Sequence, residues 1–234
     1  MNKTFVSLGP FCLSAAILEA AHLRNGSYPL DWAQSGYSTI RELVTLSIEA
    51  FYYRNIYTPS IHYYQSDSCN SSPTDMFPLE SSIKSNLFGY PYFYNPHRKL
   101  GLESKDYFFR TLRRWKAATS SPSEVTFLLA DYSNNPGSIF FHHPYSPLNS
   151  LSELLSSLVC NHKIVLLRLN IFETNHFIKL DNVLCLSEKI SIISINYPRM
   201  FVGCQELHDL SMPILARIFL SFLDNDFGPK IRTY

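Results

Sequence analysis

Two apolar runs, Val125-Thr126-Phe127-Leu128-Leu129-Ala130 and Lys163-Ile164-Val165-Leu166-Leu167-Arg168-Leu169, decide the fold class. Neither alternates polar with apolar residues, as a strand with one wet face must, and both are rich in large aliphatic and β-branched side chains. Between them, Leu148 to Val159 repeats apolar residues at helical spacing behind Asn149 or Ser150 as cap. Strands buried on both faces and separated by a helix belong to a mostly parallel sheet with helices on either side. Asn182 to Leu186 and Ile190 to Asn196 supply two further strand candidates, followed by a helix from about Asp209 to Phe222. Upstream, Asp106 to Ala118 reads as a helix carrying Arg110, Arg113, Arg114 and Lys116. The expected architecture is a three-layer α/β domain spanning residues 1–234.

The same alternation opens the chain. Phe5-Val6-Ser7-Leu8 is a short strand-like run, and Gly9-Pro10 ends it because this pair continues neither a strand interior nor a helix. Leu13, Ala16, Ile17, Ala20 and Ala21 then fall on one helix face. Cys12 therefore stands at a helix start, where unpaired backbone N–H groups and the positive end of the dipole favour a thiolate. The other reading of Cys12 is a small hydrophobe packed in the core. A second helix opens at Ser38 as N-cap with Glu42 in its first turn, and Ile40, Leu43, Val44, Ser47 and Phe51 mark its buried face. From 55 to 102 no period persists. This aromatic, loop-rich insertion holds one strand candidate, Tyr90 to Tyr94, confined to a sheet edge by Pro91.

Composition excludes several functions. A net charge of +1 with 17% charged residues provides no basic field for nucleic acid or anionic lipid. Five scattered cysteines (Cys12, Cys69, Cys160, Cys185, Cys204) form no Cys-x-x-Cys pair, which argues against a disulfide framework or zinc ribbon and suits a reducing compartment. Cys160, Cys185 and Cys204 lie in or beside apolar runs and read as core filler. No apolar segment is long enough for a membrane helix, and Gly9-Pro10 with Glu19 interrupts any signal-peptide pattern. His142-His143 does not make a metal site, because neighbours on a strand point to opposite faces and no further ligand is spaced nearby. Gly9 alone is no phosphate loop, so no nucleotide cofactor is expected.

The run Ser7-Leu8-Gly9-x-x-Cys12, a helix, and Tyr28-Pro29-Leu30-Asp31-Trp32 resembles the N-terminal signature of a bacterial family of uncharacterised proteins labelled papain-like cysteine peptidases. That pattern runs Ser-Leu-Gly-x-x-Cys, an amphipathic helix and Pro-Phe-Asp-Trp, so Leu30 stands where Phe is usual. The resemblance implies a cysteine nucleophile, and an aromatic segment with a histidine ahead of an arginine-bearing helix. Those features carry to Cys12, His97 and Arg110, Arg113 and Arg114, with Arg98 where an acidic residue usually follows the histidine. It also implies the alternative fold, papain-like α+β, with the nucleophile on a long helix and the histidine on an antiparallel sheet.

A cysteine nucleophile needs a base and often a third group to orient it. His97 is the first choice of base and His142 the reserve. His22, His162, His176 and His208 read as surface or helix-end residues. Asp31, between Pro29 and Trp32, is the candidate orienting group, or else an Asx cap of its own turn. Ser7, Gly9, Trp32, Arg110, Arg113 and Arg114 are the candidate substrate contacts, since arginines bind carboxylate or phosphate bidentately, although a charged helix face can equally be only solvated. The expected function is a cysteine-dependent hydrolase or acyltransferase without cofactor, taking a protein or small-molecule substrate in the cytoplasm or, as a secreted effector, in a host cytosol. The rival class is a non-hydrolytic binding or transferase-like domain for an anionic or glycan ligand, with Cys12 structural.

Overall fold

The computed structural model describes residues 3–10, 12–31, 34–35, 37–54, 93–94, 105–133, 145–173, 177–201 and 205–224. Trp32, His97, His142 and His143, Cys69, Cys204 and most of the aromatic insertion lie outside the described residues.

Strands β1 (Thr4–Pro10), β4 (Val125–Tyr132), β5 (His162–Phe172), β6 (Lys179–Ser187) and β7 (Ile190–Pro198) form one sheet in the order β1-β4-β5-β7-β6. β1, β4, β5 and β7 run parallel, and β6 pairs antiparallel with β7 as an edge hairpin. The two apolar runs are the central strands, side by side in unbroken register from Val125↔His162 to Tyr132↔Leu169. A parallel-dominated sheet meets the α/β expectation, and its order is not the antiparallel sheet of the α+β alternative.

Helices cover both faces. α1 (Leu13–Ala20) and α6 (Gln205–Leu223) pack Leu13, Ile17, Leu215 and Phe219 against Leu128, Ala130, Val165 and Leu167. The opposite face carries α2 (Tyr37–Thr45), α3 (Ile48–Tyr52), α4 (Lys105–Thr119) and α5 (Tyr145–Ser156). From these, Leu43, Phe51, Leu112, Trp115, Leu148 and Leu155 meet Val6, Leu8, Phe127, Leu129, Ile164 and Leu166. Successive residues of β4 from Phe127 to Ala130 thus alternate between two cores, which explains why that stretch is apolar at every position.

Several expected boundaries move. The helix opened at Ser38 ends at Thr45 and includes Ser38, and the separate α3 starts at Ile48 behind Ser47 as N-cap, whose exposed side chain accepts from the Ala50 N–H at 3.1 Å. α5 begins at Tyr145, so Asn149 and Ser150 are inside it rather than caps, while Pro147 falls in the first turn, where its missing N–H costs nothing. Cys160 is exposed and Cys185 half-buried, so neither is core filler. Cys160 lies in the turn before β5 and Cys185 on the edge strand β6, where the sheet gives less cover than their apolar neighbours suggest.

A small ladder, β2 (Gln34–Ser35) with β3 (Phe93–Tyr94), joins two distant segments antiparallel, with Gln34 opposite Tyr94 and Ser35 opposite Phe93. β2 lies against β1.

Candidate active site

The chain leaves β1 onto the face of α1 and α6, and leaves its neighbour β4 toward α5 on the other face. Adjacent parallel strands whose exits diverge in this way open a crevice at their carboxyl ends, the usual ligand position in open α/β sheets. Cys12 sits there.

The local sequence sets this position. Gly9 adopts φ 76°, a conformation that favours glycine, and the Ser14 hydroxyl donates to its carbonyl at 2.9 Å. Cys12 occupies the cap position in a helical conformation, and its carbonyl accepts the first helical bond from Ala16 N–H at 3.0 Å. The thiol itself is half-buried and makes no capping hydrogen bond. Burial pushes its pKa up, and the pull of its own backbone N–H in the other direction does not compensate. Removing the sulfur from water therefore works against the acidification expected at a helix start.

Asp31 is buried and committed to its own loop. Arg24 donates to Oδ2 through Nε and Nη2, both at 3.1 Å, and the Tyr28 backbone N–H donates to the same oxygen at 2.9 Å. Burial raises the carboxyl pKa, while the Tyr28 N–H, Arg24 and then Ser7 pull it down. Ser7, buried on β1, is near enough for that influence, but its hydroxyl has no partner at hydrogen-bond distance. The Tyr28 bond is the Asx-type cap weighed from sequence, and the ion pair with Arg24 pins the segment that runs along β1.

The three arginines are all exposed on α4, with Arg110 over the Tyr107 ring at 5.8 Å. Arg114 alone joins a cleft, an open polar hollow lined by Glu19, His22, Arg24, Gly26 and Ser27. That cleft lies around the far end of α1, whose Glu19 is seven residues beyond Cys12, about 10 Å along a helix axis. Here Gly26, at φ 145°, leaves space that the Arg114 guanidinium fills, 3.3 Å from where a Cβ would stand.

Three residues near the crevice were not singled out from sequence. Tyr132, the last residue of β4, is near enough to Cys12 for the two to influence each other electrostatically. The Tyr132 ring meets Tyr197 edge-on at 5.9 Å, and the Tyr197 hydroxyl shares a 2.8 Å hydrogen bond with Ser211. Buried Asp131 and half-buried Arg168 are register partners on β4 and β5. The available signal was charge placed on the last turns of otherwise apolar strands. His162 also departs from expectation: it is buried, with Nε2 3.1 Å from Ser152 Oγ and Nδ1 3.2 Å from the Val159 carbonyl. Among the described residues, no three His, Cys, Asp or Glu side chains converge as a metal site. No described helix is long and apolar enough to cross a membrane.

A family profile described as putative papain-like cysteine peptidase (DUF1796) matches residues 3–180. The chain belongs to this family. The papain-like cysteine peptidase match takes in β1, Cys12, Asp31, α4, β4 and β5 and ends just inside β6. No curated protein and no solved structure matches the chain.

Proposed function

We propose that the protein is a cysteine-dependent hydrolase of peptide or related acyl substrates, with Cys12 as nucleophile and His97 as base. The observation that carries this reading is the position of Cys12, at the crevice between the diverging exits of β1 and β4, in a chain of this family. The β2–β3 ladder bears on the choice of base: it pairs Tyr94, which precedes His97 by three residues in sequence, with Gln34 on β2, and β2 lies against β1. Cys12 Sγ gives its proton to the imidazole and adds to the carbonyl carbon, and the unpaired amides at the start of α1 face the developing oxyanion. The leaving group takes the proton, and water, or another acceptor in an acyltransferase, resolves the thioester. Asp31 braces the loop into Trp32 through Arg24, and Ser7 and Gly9 shape the strand end that carries the sulfur.

Competitive alkylation tests the reading. With iodoacetamide at pH 6.5, Cys12 is expected to react faster than exposed Cys160 in the same molecule; a faster Cys160 overturns it.

The upward push of burial on the Cys12 thiol favours a second reading, a binding domain for an anionic or glycan ligand with Cys12 structural. Arg114 in the cleft is then the leading contact. This reading expects Cys12→Ser to keep ligand binding and Arg114→Ala to abolish it.

A further inference from the structure

The cleft around the far end of α1 offers hydrogen-bond donors and almost no acceptors. It encloses about 390 Å³ between Glu19, His22, Arg24, Gly26, Ser27 and Arg114. Arg24 is already committed: Nε and Nη2 donate to Asp31, Nη2 also to Ser27 Oγ, and Nη1 to Glu19. Asp31 is buried and does not line the cleft, and the one carboxylate among the lining residues, Glu19, has its charge met by Arg24 at 3.3 Å.

Arg114 is placed differently. Its guanidinium lies across Gly26, with Nη1 3.3 Å and Cζ 3.5 Å from where a Cβ would stand, and among the described residues it has no carboxylate partner. The Ser27 hydroxyl accepts from Arg24 and so keeps its own proton to give. His22 adds an exposed imidazole, which carries at least one N–H in either tautomer.

We propose that this cleft binds the phosphate group of a small molecule, with Arg114 as the principal contact and His22 and Ser27 as further donors. The donors come from two directions, α4 and the loop after α1. A phosphate meets them with three or more acceptor oxygens and up to two charges, whereas a carboxylate has only two oxygens and one charge. The planar fork of Arg114 suits two of those oxygens at once, and its seat on Gly26 restricts the guanidinium before the ligand arrives. The proposal names a ligand for the cleft of the second reading and rests on that reading's contact, Arg114; it does not depend on the role of Cys12.

Titration with inorganic phosphate at constant ionic strength, followed by the Gly26 amide and His22 ring resonances, is expected to saturate with a Kd of about 1 mM. Arg114→Ala is expected to weaken binding by about 10- to 100-fold, the loss of hydrogen bonds between charged groups. Arg114→Lys keeps the charge without the fork and is expected to recover only part of it. Lys116→Ala removes the same charge from an exposed position on α4 outside the cleft, and is expected to change the Kd by no more than about twofold. Phosphate binding undiminished in Arg114→Ala overturns the proposal. Saturable binding of acetate but not of phosphate overturns the phosphate assignment and leaves the anionic cleft of the second reading standing. No saturable shift with either ion overturns both.

Discussion

Arg24 holds the buried carboxylate of Asp31 by a single oxygen, its Nε and Nη2 each 3.1 Å from Oδ2. The Arg24 side chain is 17% exposed and the Asp31 side chain 1%, so the pair is far better shielded than a surface bridge. Arg24 also reaches Ser27 Oγ at 3.0 Å and Glu19 at 3.3 Å, which makes it the hub of the loop after α1.

Removing Arg24 strands a buried charge. Arg24→Ala is expected to cost about 3 kcal/mol, the low end for breaking a buried pair. Asp31 already has its pKa raised by burial, and the loss of its cation raises it further. A group whose folded pKa lies above its unfolded value contributes stability at low pH and loses it as pH rises through the folded pKa. The deficit of Arg24→Ala relative to wild type is therefore expected to grow from pH 4 to pH 7. Urea unfolding at the two pH values checks this, and a deficit independent of pH would show that Asp31 does not carry the charge cost.

His162 gives the opposite sign. With Nδ1–H donating to the Val159 carbonyl, Nε2 accepts from the Ser152 hydroxyl, and the ring is neutral. Burial lowers its pKa below 6.5, outweighing the Val159 bond, and Lys189 adds to the lowering. Below about pH 6.5 the unfolded chain binds a proton that the folded chain refuses, so stability falls as pH drops toward the folded pKa. His162→Gln is expected to melt lower than wild type at pH 7.5 but to lose less on going to pH 5. Parallel melting curves for the two proteins, equally steep in pH, would refute the assignment.

The fold was legible where burial left an unbroken record. Val125 to Ala130 and Lys163 to Leu169 are apolar because each strand faces two cores, and both stretches are strands. The observed strands run further, to Tyr132 and Phe172, because backbone pairing continues after the apolar run stops. Gly9-Pro10 likewise marked the end of β1 and put Cys12 at the head of α1. Tyr132 stayed hidden because β4 comes to lie beside β1 only through pairing across more than a hundred residues, which no local spacing encodes. His162 was hidden by its neighbours: flanked by Asn161 and Lys163 it looks like a surface position, and its partner Ser152 lies on the preceding helix. The sign of the Cys12 shift was equally out of reach, since desolvation depends on what packs over the sulfur.

Two left-handed residues in the loop after α1 separate backbone strain from side-chain crowding. α1 ends in a Schellman arrangement, with Leu23 N–H bonded to the Leu18 carbonyl at 2.9 Å and His22 N–H to the Glu19 carbonyl at 3.0 Å. His22 fills the position usually given to glycine, at φ 55°. His22→Gly is therefore expected to stabilise the protein by about 1 kcal/mol, the strain a side chain meets in that conformation. Gly26→Ala is the reverse experiment. Its φ of 145° strains any side chain by about 1–3 kcal/mol, whereas the nearest obstacle, Arg114 Nη1 at 3.3 Å, is the movable end of an exposed chain. Backbone strain thus outweighs the clash, and adding Arg114→Ala is expected not to restore the stability lost in Gly26→Ala. A double-mutant cycle followed by thermal melting decides it: substantial recovery in the double variant would mean that the clash with the Arg114 guanidinium, not the backbone conformation, sets the cost.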